Sequence, residues 1–139
     1  VLVNGALLGG YTTVADGAFI SGNVLVHQFC RVGRLAMLGG FTATGKDVPP
    51  FMLTRGVSKV RGLNMVGLRR AGFKADVVKE IKEAFKLIYL SDLNTKQAVE
   101  KILERKPGKE VLELVEFIKS SKRGICSYAF TAAQKECLE

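Results

Sequence analysis

The imidazole of His27 is the side chain of this sequence best suited to exchange a proton near neutral pH. The chain contains a single histidine, and an ordinary histidine titrates in that range. His27 stands in the stretch NVLVHQF, directly before Gln28. It could act as a general base toward a hydroxyl group or hold a substrate by hydrogen bonds, and the alternative is a surface imidazole without a role. We expect no metal site, because zinc sites use several ligands.

Positive charge is concentrated in the second part of the chain. Residues 1–50 carry three Lys and Arg against two Asp and Glu, whereas residues 51–139 carry eighteen against eleven, so most of the net charge of +8 lies there. Such an excess could attract phosphate groups, nucleic acid or an acidic protein, and for most of the lysines the alternative is a solvated helix surface. We expect phosphate-bearing ligands, and not nucleic acid, near the following cluster: Arg55, Lys59, Arg61, Arg69 and Arg70.

A six-residue repeat organises the segment that holds His27. Every sixth residue is aliphatic apart from the last one, in the series Leu2, Leu8, Val14, Ile20, Val26, Val32, Leu38 and Thr44. The fourth residue after each is small or β-branched, and the first residue after each is often glycine. This period fits neither a helix nor an alternating strand and is typical of a β-helix. We predict a three-sided parallel β-helix in which aliphatic side chains point inward.

The glycines of the repeat are expected at the corners of this prism, because glycine tolerates backbone angles that other residues resist. His27 occupies one of these corner positions, so its side chain should project outward. Cys30 falls on a small internal position and is expected to be buried packing.

The repeat pattern stops at the stretch DVPPFMLTRG, where two prolines predict the end of the strand array because they cannot donate ladder hydrogen bonds. Helical spacing of apolar residues follows in residues 77–88, 98–103 and 111–118. Asn94 or Thr95 could cap the second of these helices. The stretch LNMVGLRRAGF is expected to form a short helix or turn before them.

These patterns predict mainly β structure followed by α structure: a β-helix over residues 1–60 and a small helical domain over residues 61–139. The tail, residues 124–139, is weakly patterned. No apolar run is long enough to span a membrane. The three cysteines form no C-x-x-C pair, which favours a reducing, cytoplasmic setting. Val1 begins inside the repeat and no signal peptide is visible, so we expect that an original amino terminus is missing.

Several stretches together resemble one family of enzymes. NVLVHQFCRVG, GKDVPPFMLTRG, GLNMVGLRRAGF and EAFKLIYLS are similar to the carboxy-terminal half of the UDP-N-acetylglucosamine O-acyltransferases that begin lipid A biosynthesis. The resemblance runs from about Asn4 to Gly124. It implies a homotrimer of left-handed β-helices with active sites between neighbouring subunits, and no cofactor. The implied reaction moves a 3-hydroxyacyl group from acyl carrier protein to the 3-hydroxyl of UDP-N-acetylglucosamine.

The resemblance also implies roles for residues of the repeat. The backbone N–H of Gly10 matches an oxyanion donor, and Tyr11 stands where the family usually has another histidine. His27 and Gln28 match a substrate-contacting pair, and Gly40 matches the position that sets acyl-chain length. The family's catalytic base lies in a His-x-x-His stretch about one coil ahead of NGALLGGY. We expect that stretch to precede Val1, so that this chain alone lacks the base.

The remaining implied roles lie beyond the repeat. Asn64 matches a residue that helps to hold the nucleotide, while Val66 replaces an acidic residue of that pocket. Arg70 matches the first of two arginines on the side of the phosphopantetheine or the carrier protein, and Ala71 replaces the second. Two alternatives stay open: a non-catalytic trimeric scaffold that keeps part of the cleft, and another hexapeptide transferase that uses acetyl-CoA.

Overall fold

The computed structural model describes residues 1–131; the end of the predicted helical domain, residues 132–139 with Cys137, lies outside the described residues. The first part of the chain is a left-handed parallel β-helix. It is built from short strands of two residues each: β1 (Leu7–Leu8), β2 (Thr13–Val14), β3 (Phe19–Ile20), β4 (Leu25–Val26), β5 (Arg31–Val32), β6 (Met37–Leu38) and β7 (Ala43–Thr44).

The strands stack into the three sides of a prism, as the repeat predicts. The first side contains β1, β4 and β7, the second contains β2 and β5, and the third contains β3 and β6. All of these pairs are parallel, and Leu7 lies opposite Leu25, one coil further along the chain. Turns connect the sides, and we name them the 1–2, 2–3 and 3–1 corners after the sides that they join.

The interior of the prism confirms the predicted pattern. The aliphatic residues of the middle coils are buried, and so are the small residues four positions later. Cys30 is fully buried, as expected. Leu2, in the first coil, is exposed. The inward series of the middle coils are Ile20, Val26, Val32 and Leu38, and Ala18, Val24, Cys30 and Ala36.

The predicted reason for the glycines one position after each aliphatic residue is wrong. The left-handed backbone conformation occurs two residues later, at the turn, where non-glycine residues such as Tyr11 (φ 58°) and Phe29 (φ 65°) adopt it. Gly9 instead lies close against the next coil. An added Cβ there would overlap the backbone nitrogen of Gln28. At Gly9 and Gly33 glycine is therefore favoured by the close approach of two coils and not by its backbone angles, whereas at Gly45 an added Cβ would meet nothing nearer than the Ser58 hydroxyl at 4.0 Å.

The prediction that the prolines end the strand array is also wrong. Val48 bridges in parallel to Val32, and strand β8 (Met52–Thr54) pairs in parallel with β6, so the coil continues past the prolines. Pro49 and Pro50 lie between these two strand positions, at the 2–3 corner, where no ladder hydrogen bond requires their missing N–H.

The helical part follows a hairpin. Strand β9 (Lys59–Leu63) pairs antiparallel with β8, and the helices are α1 (Met65–Arg70), α2 (Ala75–Tyr89), α3 (Thr95–Glu104) and α4 (Lys109–Ser120). The predicted helices are thus confirmed, and Asn94 is the cap of α3, in a capping box with Gln97. Strand β10 (Ser127–Tyr128) returns to pair with β9. The domain division at residue 60 stays a prediction.

The sides of the prism differ in how they are covered. Helix α4 packs over the second side, where the Arg31 guanidinium lies 4.1 Å from the ring centre of Phe117 and Arg34 pairs with Glu113 at 3.0 Å. The first side stays open, since Leu7 and Leu25 are 64% and 50% exposed. Within residues 1–131, no helix combines the length and the apolarity that a bilayer crossing requires.

Candidate functional site

The 1–2 corner brings together two of the predicted site residues. Gly10 follows β1 and Gln28 follows β4, one coil apart, and the N–H of Phe29 donates to the carbonyl of Gly10 at 2.9 Å. The rings of Tyr11 and Phe29 stack over each other, with centroids 5.3 Å apart and planes 5° apart. Among the described residues, the N–H of Gly10 has no acceptor. It is therefore free to donate to a ligand oxygen, as an oxyanion donor must be.

His27 lies beside this corner, at the end of β4, and its side chain projects outward as predicted. Its backbone N–H donates to the carbonyl of Thr44 at 2.9 Å. The ring nitrogen Nδ1 lies 3.3 Å from Nη2 of Arg123 and 3.2 Å from the carbonyl oxygen of Gln28. The imidazole borders an open groove of about 460 Å³ along the first side, whose apolar wall includes Leu7 and Leu25.

Asn64 lies at the 2–3 corner and is 7% exposed. Its Oδ1 accepts from the N–H of Gly67 at 3.0 Å and thereby caps α1. Its Nδ2 donates to the carbonyl of Leu35 at 2.8 Å. One amide hydrogen of Nδ2 is left for a ligand, because a carboxamide nitrogen carries two. Gly67 is required here, since an added Cβ would overlap Nδ2 of Asn64.

Arg70 and Asn64 line the same cavity, of about 470 Å³, between α1 and the third side. Val66 and Ala71 also line it, and they make this wall apolar where the family resemblance implies charged residues. Arg70 is exposed at its rim, and a guanidinium suits phosphate because its donors form a fixed fork. Neither Arg55 nor Arg61 lines this cavity, so Arg70 is the member of the predicted basic cluster that borders it.

Gly40 lies at the 3–1 corner. An added Cβ there would lie 3.6 Å from the carbonyl oxygen of Gly22, which is an ordinary contact. The coil itself therefore does not require glycine at this position. The space that Gly40 leaves is on the outside of the prism, beside the exposed ring of Phe41.

The sequence analysis did not identify two residues of this region, Asp47 and Arg123. Asp47 is 2% exposed and holds the carboxy-terminal segment to the prism, while Arg123 in that segment reaches His27. Arg123 is 96 positions from His27, so no local spacing connects them. A glycine in a sequence often indicates a turn, and Gly124 does adopt the left-handed conformation here, with φ of 81°.

Both described cysteines are free thiols buried near this segment. Burial raises the pKa of the Cys126 thiol to about 11, although a hydrogen bond with Thr44 opposes this effect. Burial also raises the pKa of Cys30, and the Arg123 guanidinium partly opposes it. The pKa of Tyr89, whose hydroxyl donates to the Cys126 carbonyl at 2.8 Å, is raised by burial as well. None of these groups is suited to accept a proton at neutral pH, because the two thiols and the phenol all hold their protons there.

Comparison with known proteins gives consistent matches. A family model described as UDP-N-acetylglucosamine O-acyltransferase, domain 2, matches residues 47–126. The acyl-acyl-carrier-protein–UDP-N-acetylglucosamine O-acyltransferase of Gloeothece citriformis is 42% identical over 122 residues, which make up 87% of this chain and 44% of that protein. The chain spans about half the length of the curated relatives it matches.

Two solved structures are similar to the whole fold. The UDP-N-acetylglucosamine acyltransferase of Francisella novicida has a TM-score of 0.86 at 42% identity, over 91% of this chain and 47% of that one. The corresponding enzyme of Campylobacter jejuni has a TM-score of 0.86 at 34% identity, over 92% of this chain and 50% of that one.

Proposed function

Because this chain belongs to the UDP-N-acetylglucosamine O-acyltransferase family, we propose that it takes part in moving a 3-hydroxyacyl group from acyl carrier protein to the 3-hydroxyl of UDP-N-acetylglucosamine. This is the reaction that begins lipid A biosynthesis. A cytoplasmic location belongs to the same proposal and agrees with the free thiols of Cys30 and Cys126.

The observation that carries the proposal is the distribution of the candidate residues over different corners of one prism. Gly10, His27 and Gln28 lie at or beside the 1–2 corner, whereas Asn64 and Arg70 lie near the 2–3 corner. Within one copy the two groups border different openings, since the groove beside His27 includes neither Asn64 nor Arg70. A neighbouring copy can supply the second group, because a head-to-tail contact between two different surfaces closes into a ring when the rotation fits.

The open first side supports such an assembly. Leu7 and Leu25 lie in register on it, and Val57, next to Ala43, extends the column. Val57 is 70% exposed. Burying such a column releases roughly 25 cal/mol for each Å² of apolar surface removed from water. We therefore propose a homotrimer in which the first side faces a neighbouring subunit and the groove beside His27 becomes a cleft.

In this cleft each residue has a defined task. The free N–H of Gly10 stabilises the negative charge that develops on the thioester oxygen. His27 and Gln28 orient the substrate, and Gly40 leaves space for the acyl chain. Asn64 offers one amide hydrogen to the nucleotide, and Arg70 binds phosphate on the donor side.

Binding measurements test the ligand part of the proposal. UDP-N-acetylglucosamine and acyl carrier protein are titrated separately against the folded protein. At least one of them should bind, with an affinity that falls as salt rises. Arg70→Ala should weaken binding of the phosphate-bearing ligand about tenfold or more, as expected for a hydrogen bond to a charged group. Arg69→Ala is the matched control, because Arg69 is a neighbouring exposed arginine that does not line the cavity. Binding of neither ligand to the folded protein would overturn the assignment.

Activity measurements test the chemical part. We expect the 139-residue polypeptide by itself to transfer little or no acyl group, since its single imidazole serves to orient substrate and general-base catalysis contributes about 10²–10⁴-fold. Rapid transfer that His27→Ala abolishes, while the oligomer persists in sedimentation, would show instead that His27 is the base.

A further inference from the structure

We propose that Arg123 is a positioning residue that fixes the tautomer of His27, so that the neutral ring carries its proton on Nε2 and offers a hydrogen-bond donor to the ligand. The inference deepens the proposed function, because it takes His27 to be a substrate-contacting residue. It concerns which ring nitrogen donates and which accepts, and the family resemblance does not assign either role.

Arg123 is held in place from both ends of a short segment. On one side, the Ser121 hydroxyl donates to Oδ2 of Asp47 at 2.7 Å. On the other, the carbonyl of Gly124 accepts from the N–H of Asp47 at 3.0 Å, and the N–H of Cys126 donates to the carbonyl of Asp47 at 2.9 Å. Because one buried residue anchors the chain before and after Arg123, the start of the arginine side chain has a fixed position.

The guanidinium itself is also anchored. Its Nε donates to the carbonyl of Gly45 at 3.1 Å, and Nη2 lies 3.3 Å from Nδ1 of His27. Gly45 follows Thr44, whose carbonyl accepts from the backbone N–H of His27. The arginine therefore spans two adjacent coils, and its second contact falls on a ring nitrogen of the histidine.

Two partners compete for that nitrogen. The carbonyl of Gln28, at 3.2 Å, can only accept, so it favours a proton on Nδ1. The guanidinium of Arg123 can only donate, so it favours a lone pair on Nδ1. A hydrogen bond from a charged donor is roughly twice as strong as one between neutral groups. The hydrogen bond from Arg123 is therefore the stronger of the two, so Nδ1 keeps its lone pair and the proton of the neutral ring lies on Nε2.

The other ring nitrogen faces no competitor. Among the described residues, Nε2 of His27 has no hydrogen-bond partner. With its proton, Nε2 can donate to an oxygen of the ligand, such as a carbonyl, hydroxyl or phosphate oxygen. It cannot take up a proton in that state, because its lone pair is not available. This agrees with a histidine that orients substrate and does not act as the primary base.

Nitrogen NMR of the imidazole tests the inference directly, because the chain has a single histidine. Both ring signals therefore belong to His27, and their different couplings to the two carbon-bound ring protons distinguish Nδ1 from Nε2. The protein is labelled with ¹⁵N and measured without ligand while the pH is raised until the ring signals no longer change, so that the measurement is made on the neutral ring. We expect Nδ1 to be unprotonated and Nε2 to be protonated. A wild-type ring protonated on Nδ1 would overturn the inference without any variant.

A substitution then tests the cause. Arg123→Met keeps an unbranched apolar stem and removes every donor, so we expect the tautomer ratio to shift about tenfold or more toward Nδ1–H, which then donates to Gln28. Lys122→Met is the matched control: Lys122 is exposed and has no ion pair among the described residues, so the same charge loss should leave the ratio unchanged. An unchanged ratio in folded Arg123→Met would refute the role of Arg123. Because the measurement uses neither substrate nor acyl transfer, its outcome is independent of whether the proposed reaction occurs.

Discussion

Asp47 provides the sharpest test of how the helical part is joined to the prism. Its buried carboxylate accepts from the backbone N–H of Arg31 at 2.8 Å and from the hydroxyl of Ser121 at 2.7 Å. Nε of Arg31 lies 3.6 Å from the same carboxylate. Asp47→Asn keeps the size of the side chain but removes its charge. Because a serine hydroxyl can accept as well as donate, both contacts can persist, but as neutral hydrogen bonds.

The cost follows from the strength of these bonds. A hydrogen bond to a charged group contributes about 1.5–3 kcal/mol, and a neutral one about 0.5–1.5 kcal/mol. Weakening both charged bonds to neutral ones should therefore lower the free energy of unfolding by about 2–3 kcal/mol. Removing the desolvation cost of a buried carboxylate offsets part of this, but breaking a buried pair from one side is a net loss. The contact with Arg31 Nε adds little, because that side chain is one-third exposed.

Thermal and urea unfolding followed by circular dichroism measure this effect. At roughly 4 °C per kcal/mol for a chain of this size, the Tm should fall by about 8–12 °C. Asp16→Asn is the control, since Asp16 is exposed at the 2–3 corner and forms no ion pair among residues 1–131. If Asp47→Asn and Asp16→Asn change the free energy of unfolding equally, the carboxylate does not hold the segment and the reasoning is refuted.

Three further predictions concern stability and assembly. Because the folded pKa of Cys126 is about 11 against an ordinary 9.0, the unfolded state loses its proton first, and the free energy of unfolding should fall above about pH 9 by about 1 kcal/mol per unit. Cys126→Ser should remove most of this slope between about pH 9 and pH 10, and an equal slope in both proteins would contradict the prediction. Gly67→Ala, which forces an overlap with Asn64, should lower the free energy of unfolding by about 1–3 kcal/mol, whereas Gly62→Ala points into open space and should change it by less than about 0.5 kcal/mol. Leu25→Glu should convert the proposed trimer to monomers in sedimentation at micromolar concentration, and a wild-type protein that is already a monomer there would count against the trimer.

The arrangement of the β-helix could be read from the sequence because each hexad makes its own contribution to the interior. Ile20 and Val26 point inward for the same local reason, and Gly10 and Gln28 occupy equivalent positions one coil apart, so their meeting at one corner follows from the repeat. The cap of α3 is similar, since Asn94 and Gln97 satisfy each other within one helical turn. Local spacing determines such features because their physical causes lie within a few residues or one coil.

Other features of the candidate site depend on contacts that no local pattern contains. The amide of Asn64 was predicted as a ligand for the nucleotide, but it also caps α1 and binds Leu35, 29 positions away. The sequence could not show that Pro50 would lie at a corner, where the missing N–H causes no loss. It also could not show that Arg70 would border the cavity beside Asn64 while Arg55 would not.

The sequence by itself determined the repeat, the inward and outward faces of each coil, the helices and the family, because periodic burial and short-range capping leave a signature in residue order. Tertiary structure alone decided which side of the prism stays open, that Asp47 anchors the returning segment and that Arg123 reaches His27. These depend on how a segment more than 70 positions along the chain docks onto the prism. Helices α2, α3 and α4 lie between the prism and that segment in the chain, and their packing sets the position of the segment. A sequence pattern does not contain that geometry.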